Sequence, residues 1–221
     1  IGKNMKLHGA IISPNVRKVI IACMVKDIPF ESNMIIPGPA LKEPEFLKIN
    51  PLGQIPALED DELTISDSNV ILQYLDELHP ENSLLPTTPK ERAHTRWLAE
   101  YAGAALFPCC GVMFRENFVN PNFFKQPTNQ AMVDEAISKK FPPVLNYLEK
   151  QVPDKEFLLG QSLGMADISI ISMFITANYG GYNVDGTRWP KLAAYVARAM
   201  VHPVVAKCLE NEKAMLKMIT G

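Results

Sequence analysis

No apolar run in this chain reaches the roughly 18 residues that a membrane-spanning helix needs. The stretch Val19 to Val25 is far shorter and reads as part of a buried helix. No signal-peptide pattern opens the chain, which makes the cytoplasm the expected compartment and a membrane an unexpected partner. Excess charge is missing too. The formal net charge is −2, which gives no electrostatic footprint for nucleic acid or an anionic bilayer. Cysteine is scarce: Cys23, Cys109, Cys110 and Cys208 show neither a CxxC motif nor metal-ligand spacing. The adjacency of Cys109 and Cys110 disfavours a bridge between them, and free buried or half-buried thiols are expected. His8, His79, His94 and His202 form no ligand pattern either, so no metal is expected. There is no internal repeat and no low-complexity tract.

With 221 residues, 47% hydrophobic and 21% charged, the chain has room for two small domains or one large one. Lys6 to Ile12 fits a short buried strand. Ser13-Pro14-Asn15 then signals a helix start, with serine at the N-cap and proline at the first helical position. Val16, Val19, Ile20, Cys23 and Met24 make an i, i+3, i+4 stripe, with Arg17 and Lys18 off it. Phe30 to Ile36 reads as a second strand and 37–50 as a loop. Asn50 to Leu58 reads as a loop leading into Gln54 to Leu58, which suits the start or edge of a strand, because Pro56 cannot donate to a ladder. A cis bond before Pro56 would turn the backbone of Ile55 outward to pair with an extended peptide. After an acidic turn and a short strand, Asp67-Ser68 opens a helix whose free N–H groups and dipole favour an anion.

His79 to Lys90, with three prolines, is the convincing linker. Beyond it strand signals vanish. Lys90 to about Phe114 carries a helical stripe interrupted at Pro108. Asn117 to Asn129 should be a loop, and 130–151 a helix broken or kinked at Pro142-Pro143. Met165 to Asn178 is apolar almost all round and should be a buried central helix. Trp189 and Pro203 start the last two helices.

The run NPLGQIPAL followed by LTISDSNVILQYL resembles the glutathione-binding half of the cytosolic glutathione S-transferases, most closely the serine-type classes such as phi, theta and delta. GQSLGMAD at 160–167 and WPKLAAYVAR at 189–198, with His202-Pro203 downstream, resemble the family's C-terminal motifs. The resemblance implies an α/β thioredoxin-like domain, a mixed sheet with flanking helices, over 5–82. An all-helical domain over 90–221 would carry an apolar substrate site. Gly164 departs from the Ser or Thr usual three residues before the motif's Asp167, which removes one arm of a capping box.

Glutathione conjugation needs a thiolate, and a free thiol with pKa near about 8.5 is only slightly ionised at neutral pH. The resemblance makes Ser13 the hydroxyl that donates to that thiolate, with Asn15 as the alternative donor. A plain N-cap is the structural alternative for Ser13. Asp67 and Ser68 match the pair that holds the γ-glutamyl ammonium and carboxylate, or else they only cap a helix. Ile55, preceding Pro56, would pair its backbone with the cysteinyl unit. Gln54 and Lys42 match positions facing the glycyl carboxylate, although Lys42 reads equally as a solvated charge. Leu41 stands where several serine classes carry histidine. Phe107, Cys109, Cys110, Met113 and Phe114 are the expected liners of an apolar pocket between the domains, or core residues. The implied co-substrate is glutathione, the implied partners a small electrophile and a second copy of the chain. Other thiolate chemistry (dehalogenation, peroxide reduction, isomerisation) and a non-catalytic binding module are the competing readings.

Overall fold

A computed structural model of the chain describes residues 5–61 and 63–220. They form two compact units that part between Leu84 and Leu85. In the first, β1 (Lys6–His8), β2 (Glu31–Asn33), β3 (Ala57–Asp60) and β4 (Leu63–Ser66) make a sheet of order β2-β1-β3-β4. β1 runs parallel to β2 and antiparallel to β3, and β3 forms a hairpin with β4. Leu7 faces Leu58 across the central pair, and both are fully buried. A one-residue slip would turn both leucines to the other face, so burial fixes the register.

The strands are shorter than the sequence suggests. β1 stops at His8 because Gly9 turns away at φ +145°, and a Cβ there would lie 2.5 Å from a methyl of Val16. β2 covers only Glu31–Asn33 at the sheet edge, where short, exposed strands limit unwanted pairing. Segment 37–50 is not a loop throughout. Pro39–Lys42 forms a 3-10 turn and α2 spans Pro44–Ile49, held down by buried Leu41 and Phe46. Elements this short show no readable hydrophobic period.

Helix α1 (Pro14–Val25) buries Val16, Val19, Ile20 and Cys23 as expected. It also buries Arg17 and Lys18, at 0% and 1% exposure, which corrects their placement off the buried face. The Arg17 guanidinium donates to the Ile12 carbonyl at 3.1 Å. Helix α3 (Ser68–Leu78) packs along α1 and buries Ile71, Leu72 and Leu75. Just past α1, Lys26 forms a buried ion pair with Asp76 of α3 at 2.9 Å. Lys26 also donates to the carbonyls of Glu81 and Asn82, while Asp76 accepts from the Ser83 hydroxyl and the Leu84 N–H. The start of the expected linker is therefore clamped to the first unit.

The second unit is all helical. Pro108 does not interrupt its first helix, and of the expected loop 117–129 only 125–129 is one, because 117–124 is helical. α4 (Pro89–Tyr101) passes through a wide π turn at Ala102–Leu106 into α5 (Phe107–Phe114), and a further π segment runs to Phe124. A second wide turn, Ala136–Lys140, joins α6 (Gln130–Glu135) to α7 (Phe141–Gln151), so Pro142-Pro143 begins a helix instead of breaking one. Widening the turn ahead of a proline makes room for its ring, and a donor it lacks is not needed there. The run Pro89–Phe124, 36 residues long, is apolar enough by composition to cross a membrane. Leu98, Ala99, Ala102, Leu106 and Cys110 on it are buried, and α4 and α5 pack on α8.

Helix α8 (Met165–Tyr179) is buried nearly all round, as its composition requires. Asp167 accepts from the Gly164 N–H at 2.9 Å, from the Leu158 N–H at 2.9 Å and from the Tyr195 hydroxyl at 2.7 Å. One arm of the capping box survives, and Gly164 has no side chain to return the other. α9 (Pro190–Val201) and α10 (Pro203–Thr220) complete the chain.

Candidate functional site

The first unit places two helix N-termini side by side. At the start of α1, Ser13 is extended (φ −65°, ψ 128°), and its N–H donates to the Ala10 carbonyl at 2.9 Å. Its hydroxyl does not cap the helix and has no hydrogen-bond partner among the described residues. It is half-buried. Pro14 fixes the first turn without needing a donor partner, so the serine oxygen is left for another role. Two residues on, the Asn15 side-chain Oδ1 lies 3.4 Å from the Ser68 hydroxyl, which donates to it.

At the start of α3, Asp67 caps the helix. Its Oδ1 accepts from the N–H groups of Asn69 at 2.8 Å and Val70 at 3.1 Å, and its φ of +72° is unusual for a residue other than glycine. The capping alternative for Asp67 is therefore real. The N–H groups of Asn69 and Val70 are thereby taken by Asp67 itself. Asp67 remains exposed, and its Oδ2 has no partner among the described residues. Ser68 is buried, and its oxygen accepts from the Lys18 ammonium at 3.1 Å. Lys18 also donates to the Asn69 side-chain oxygen at 2.9 Å.

Between these termini runs the segment before β3. The Ile55–Pro56 bond is cis. Ile55 is half-buried, and a Cβ added at Gly9 would lie 3.1 Å from its own Cβ, so Ile55 sits beside the β1–α1 turn. Neither its N–H nor its carbonyl has a partner among the described residues. The preceding carbonyl, of Gln54, accepts from the Asn50 side chain at 2.7 Å, which ties the segment down. Gln54 and Lys42 are exposed. Gly53 (φ +60°) lets the two segments approach closely: a Cβ there would lie 2.7 Å from the Leu41 carbonyl oxygen and 3.1 Å from the Lys42 ammonium. Ser13, Asn15, Ile55, Asp67, Ser68 and Lys42 thus lie in one unit, with Asn15 meeting Ser68, Ile55 beside Gly9, and Lys42 beside Gly53. Leu41, where a histidine would add a donor, faces inward.

The apolar residues divide. On α5, Phe107 is exposed, and half-buried Phe114 stacks on Phe118 with centroids 5.3 Å apart. Cys110 and Met113 turn inward, at 0% and 2% exposure. Met113 borders a cavity of about 730 Å³ with Asn117, Val133, Tyr182, Arg188 and Trp189. All four cysteines are free and buried. Burial pushes the Cys23 thiol up to about 12, and it raises Cys109 and Cys110 as well.

Comparison with known proteins decides the family. The glutathione S-transferase N-terminal domain model matches residues 7–83, and the glutathione S-transferase C-terminal domain model matches residues 114–212. A glutathione S-transferase of Hyoscyamus muticus is 33% identical, covering 95% of this chain and 99% of its own. This chain belongs to the glutathione S-transferase family. A maleylacetoacetate isomerase of Pseudomonas aeruginosa is 28% identical over 90% of this chain and 92% of its own. Among solved structures, apo human glutathione-S-transferase T1-1 matches the fold with a TM-score of 0.83 at 24% identity, covering 96% of this chain and 89% of that one.

In this transferase, sequence reasoning missed Lys18 and Asn69. A signal was present: two adjacent cations, Arg17 and Lys18, precede an apolar run too long for a one-sided helix. A helix apolar on most faces buries its charges as well, and a buried charge needs partners.

Proposed function

We propose that this transferase binds glutathione across the first unit, holds its sulfur as the thiolate at Ser13, and directs it at an electrophilic carbon of an apolar substrate. The observation that carries the reading is the Ser13 hydroxyl, half-buried at the start of α1 and committed to no cap or side chain among the described residues. A hydroxyl cannot act as base at neutral pH, but it can donate to a thiolate. A hydrogen bond to a charged group contributes roughly 1.5–3 kcal/mol, which lowers the bound thiol pKa by roughly one to two units. The positive end of α1 adds to this. Asn15 is the nearest alternative donor.

Asp67 Oδ2 is open to the γ-glutamyl ammonium, and the Ser68 hydroxyl and N–H to its carboxylate. The unpaired backbone of Ile55, ahead of Pro56, suits the cysteinyl unit, while Gln54 and Lys42 suit the glycyl carboxylate. Of the expected liners on α5, Phe107 and Phe114 have surface to offer the second substrate. In the reaction the sulfur lone pair forms a C–S bond. A leaving group departs with its electron pair, or, in an addition, the displaced pair takes a proton from water. A second reading has the thiolate add to a double bond and leave again, isomerising the substrate without consuming glutathione. It is favoured by the likeness to a maleylacetoacetate isomerase. A cytosolic homodimer fits both.

Ultraviolet titration of glutathione bound to wild type and to Ser13→Ala tests the proposal. A bound-thiol pKa well below that of free glutathione, raised by the mutation, is expected. A low pKa that the mutation leaves unchanged moves the donor to Asn15 or a backbone N–H. No binding by the wild type overturns the reading. Product analysis, thioether against isomer, separates the two chemistries.

A further inference from the structure

The second unit holds a cavity of about 730 Å³ that the thiolate chemistry does not use. Its size falls within the range of small-molecule sites. Its walls come from the end of α5 and the segment after it, from α6 with the wide turn that follows, and from the loop after α8. That loop is tied in place. Gly180 comes so near α5 that a Cβ on it would overlap the Met113 carbonyl, and the Asn117 side chain donates to the Gly180 carbonyl at 2.9 Å. The Tyr182 ring stacks on Phe141 with centroids 4.0 Å apart. Met113, Val133, Ile137, Tyr182 and Trp189 supply the apolar part of the lining.

Two opposite charges line the same cavity, Asp185 and Arg188. Asp185 Oδ1 accepts from the Thr187 hydroxyl at 2.7 Å and from the Thr187 N–H at 2.9 Å. Those bonds hold its carboxyl below the usual carboxylate range, so it is ionised at neutral pH. The Arg188 guanidinium lies over the Trp189 ring, 4.5 Å from the centroid. Such a contact orients a guanidinium without spending its N–H donors. Arg188 donates no side-chain hydrogen bond, and the two charges form no ion pair with each other or with any other of the described residues. A simple anion at this cavity gains from Arg188 and is repelled by Asp185, and a simple cation meets the reverse. A ligand that carries both charges gains from both.

We propose that this cavity is a separate ligand site for an α-amino-acid zwitterion with a large apolar side chain. Arg188 takes the carboxylate, Asp185 takes the ammonium, and the apolar lining takes the side chain. A planar guanidinium matches a carboxylate through two parallel hydrogen bonds. The site does not depend on glutathione binding in the first unit.

The test is fluorescence titration of the full chain. Its two tryptophans are Trp97 and Trp189, so Trp97→Phe leaves Trp189 as the reporter at the cavity. That protein is titrated, with and without glutathione, with L-phenylalanine, with N-acetyl-L-phenylalanine, which lacks the ammonium, and with phenethylamine, which lacks the carboxylate. L-Phenylalanine should change the emission saturably, and each singly charged analogue should bind about three- to fivefold more weakly, the weight of one exposed ion pair. With Arg188→Gln added, phenylalanine should bind no better than phenethylamine. With Asp185→Asn added, it should bind no better than the N-acetyl derivative. Both side chains are exposed, and asparagine keeps the acceptor that Thr187 uses, so neither change disturbs the core. No saturable change with phenylalanine overturns the inference, and so does equal binding of all three compounds. Displacement by glutathione overturns it as well, by placing the ligand in the first unit. A preference for the zwitterion that survives both charge substitutions assigns it to other groups and overturns it equally.

Discussion

At the scale of single residues, the site holds its shape by small violations of local preference. Asp67 keeps φ at +72°, a conformation that costs about 1–3 kcal/mol outside glycine. Its cap bonds to Asn69 and Val70 help hold it there. Asparagine caps as well as aspartate and tolerates positive φ. Asp67→Asn should therefore leave the melting temperature nearly unchanged while raising KM for glutathione about tenfold, through loss of a charged hydrogen bond. Thermal melts and steady-state kinetics on one preparation separate the two effects. Gly53 is the other such residue. Gly53→Ala would set a Cβ 2.7 Å from the Leu41 carbonyl oxygen at φ +60°. Denaturant titration should show a loss of about 1–3 kcal/mol, with weaker glutathione binding as the Lys42 turn is displaced.

At the scale of elements, buried polar groups fix where helices begin and how they join. The Lys26–Asp76 pair clamps α1, α3 and the residues up to Leu84. Removing one partner leaves the other charge buried, so Asp76→Ala should cost about 3–5 kcal/mol in chemical denaturation. The exposed pair Lys48–Glu45 at 2.7 Å is shorter than that pair, yet Lys48→Ala should cost less than about 1 kcal/mol. Length alone does not rank them; solvent does. At the junction of α9 and α10, burial lowers the pKa of His202 from its ordinary 6.5. Its Nδ1 is buried without a hydrogen-bond partner among the described residues, and its ring meets Phe157 edge-on at 5.5 Å. The unfolded chain then binds the proton more readily than the fold does. His202 therefore favours folding above its unfolded pKa, and that contribution falls as pH drops toward the lowered value. Thermal melts between about pH 7 and about pH 5 should show this slope in wild type and a smaller one in His202→Gln.

At the scale of the whole molecule, the chain carries four cysteines, and all are buried. Burial raises the thiols of Cys23, Cys109 and Cys110, so little reactive thiolate forms at neutral pH. The native protein should react slowly with a disulfide probe and release its full thiol count only in denaturant. Activity should survive mild alkylation, because the sulfur that reacts is glutathione's. A fast-reacting thiol whose blocking stops turnover would move the chemistry from Ser13 to a cysteine.

The sequence marked most of the elements and the residues proposed for the site. Short apolar runs, Ser13-Pro14, Ile55-Pro56 and Asp67-Ser68 are local signals, set by backbone sterics and capping within a few residues. The unbroken apolarity of Met165 to Asn178 was enough to mark α8 as central. Three features needed the tertiary structure. Prolines 108, 121 and 142 lie in or just after widened turns, a choice made by tertiary packing and not by propensity. Cys110 and Met113 face inward while Phe107 and Phe114 do not, because sequence spacing gives a helix face but not what covers it. Lys18 reaches Ser68 across fifty positions of chain. A buried ammonium needs acceptors, but only the packing of α1 on α3 decides which oxygens those are.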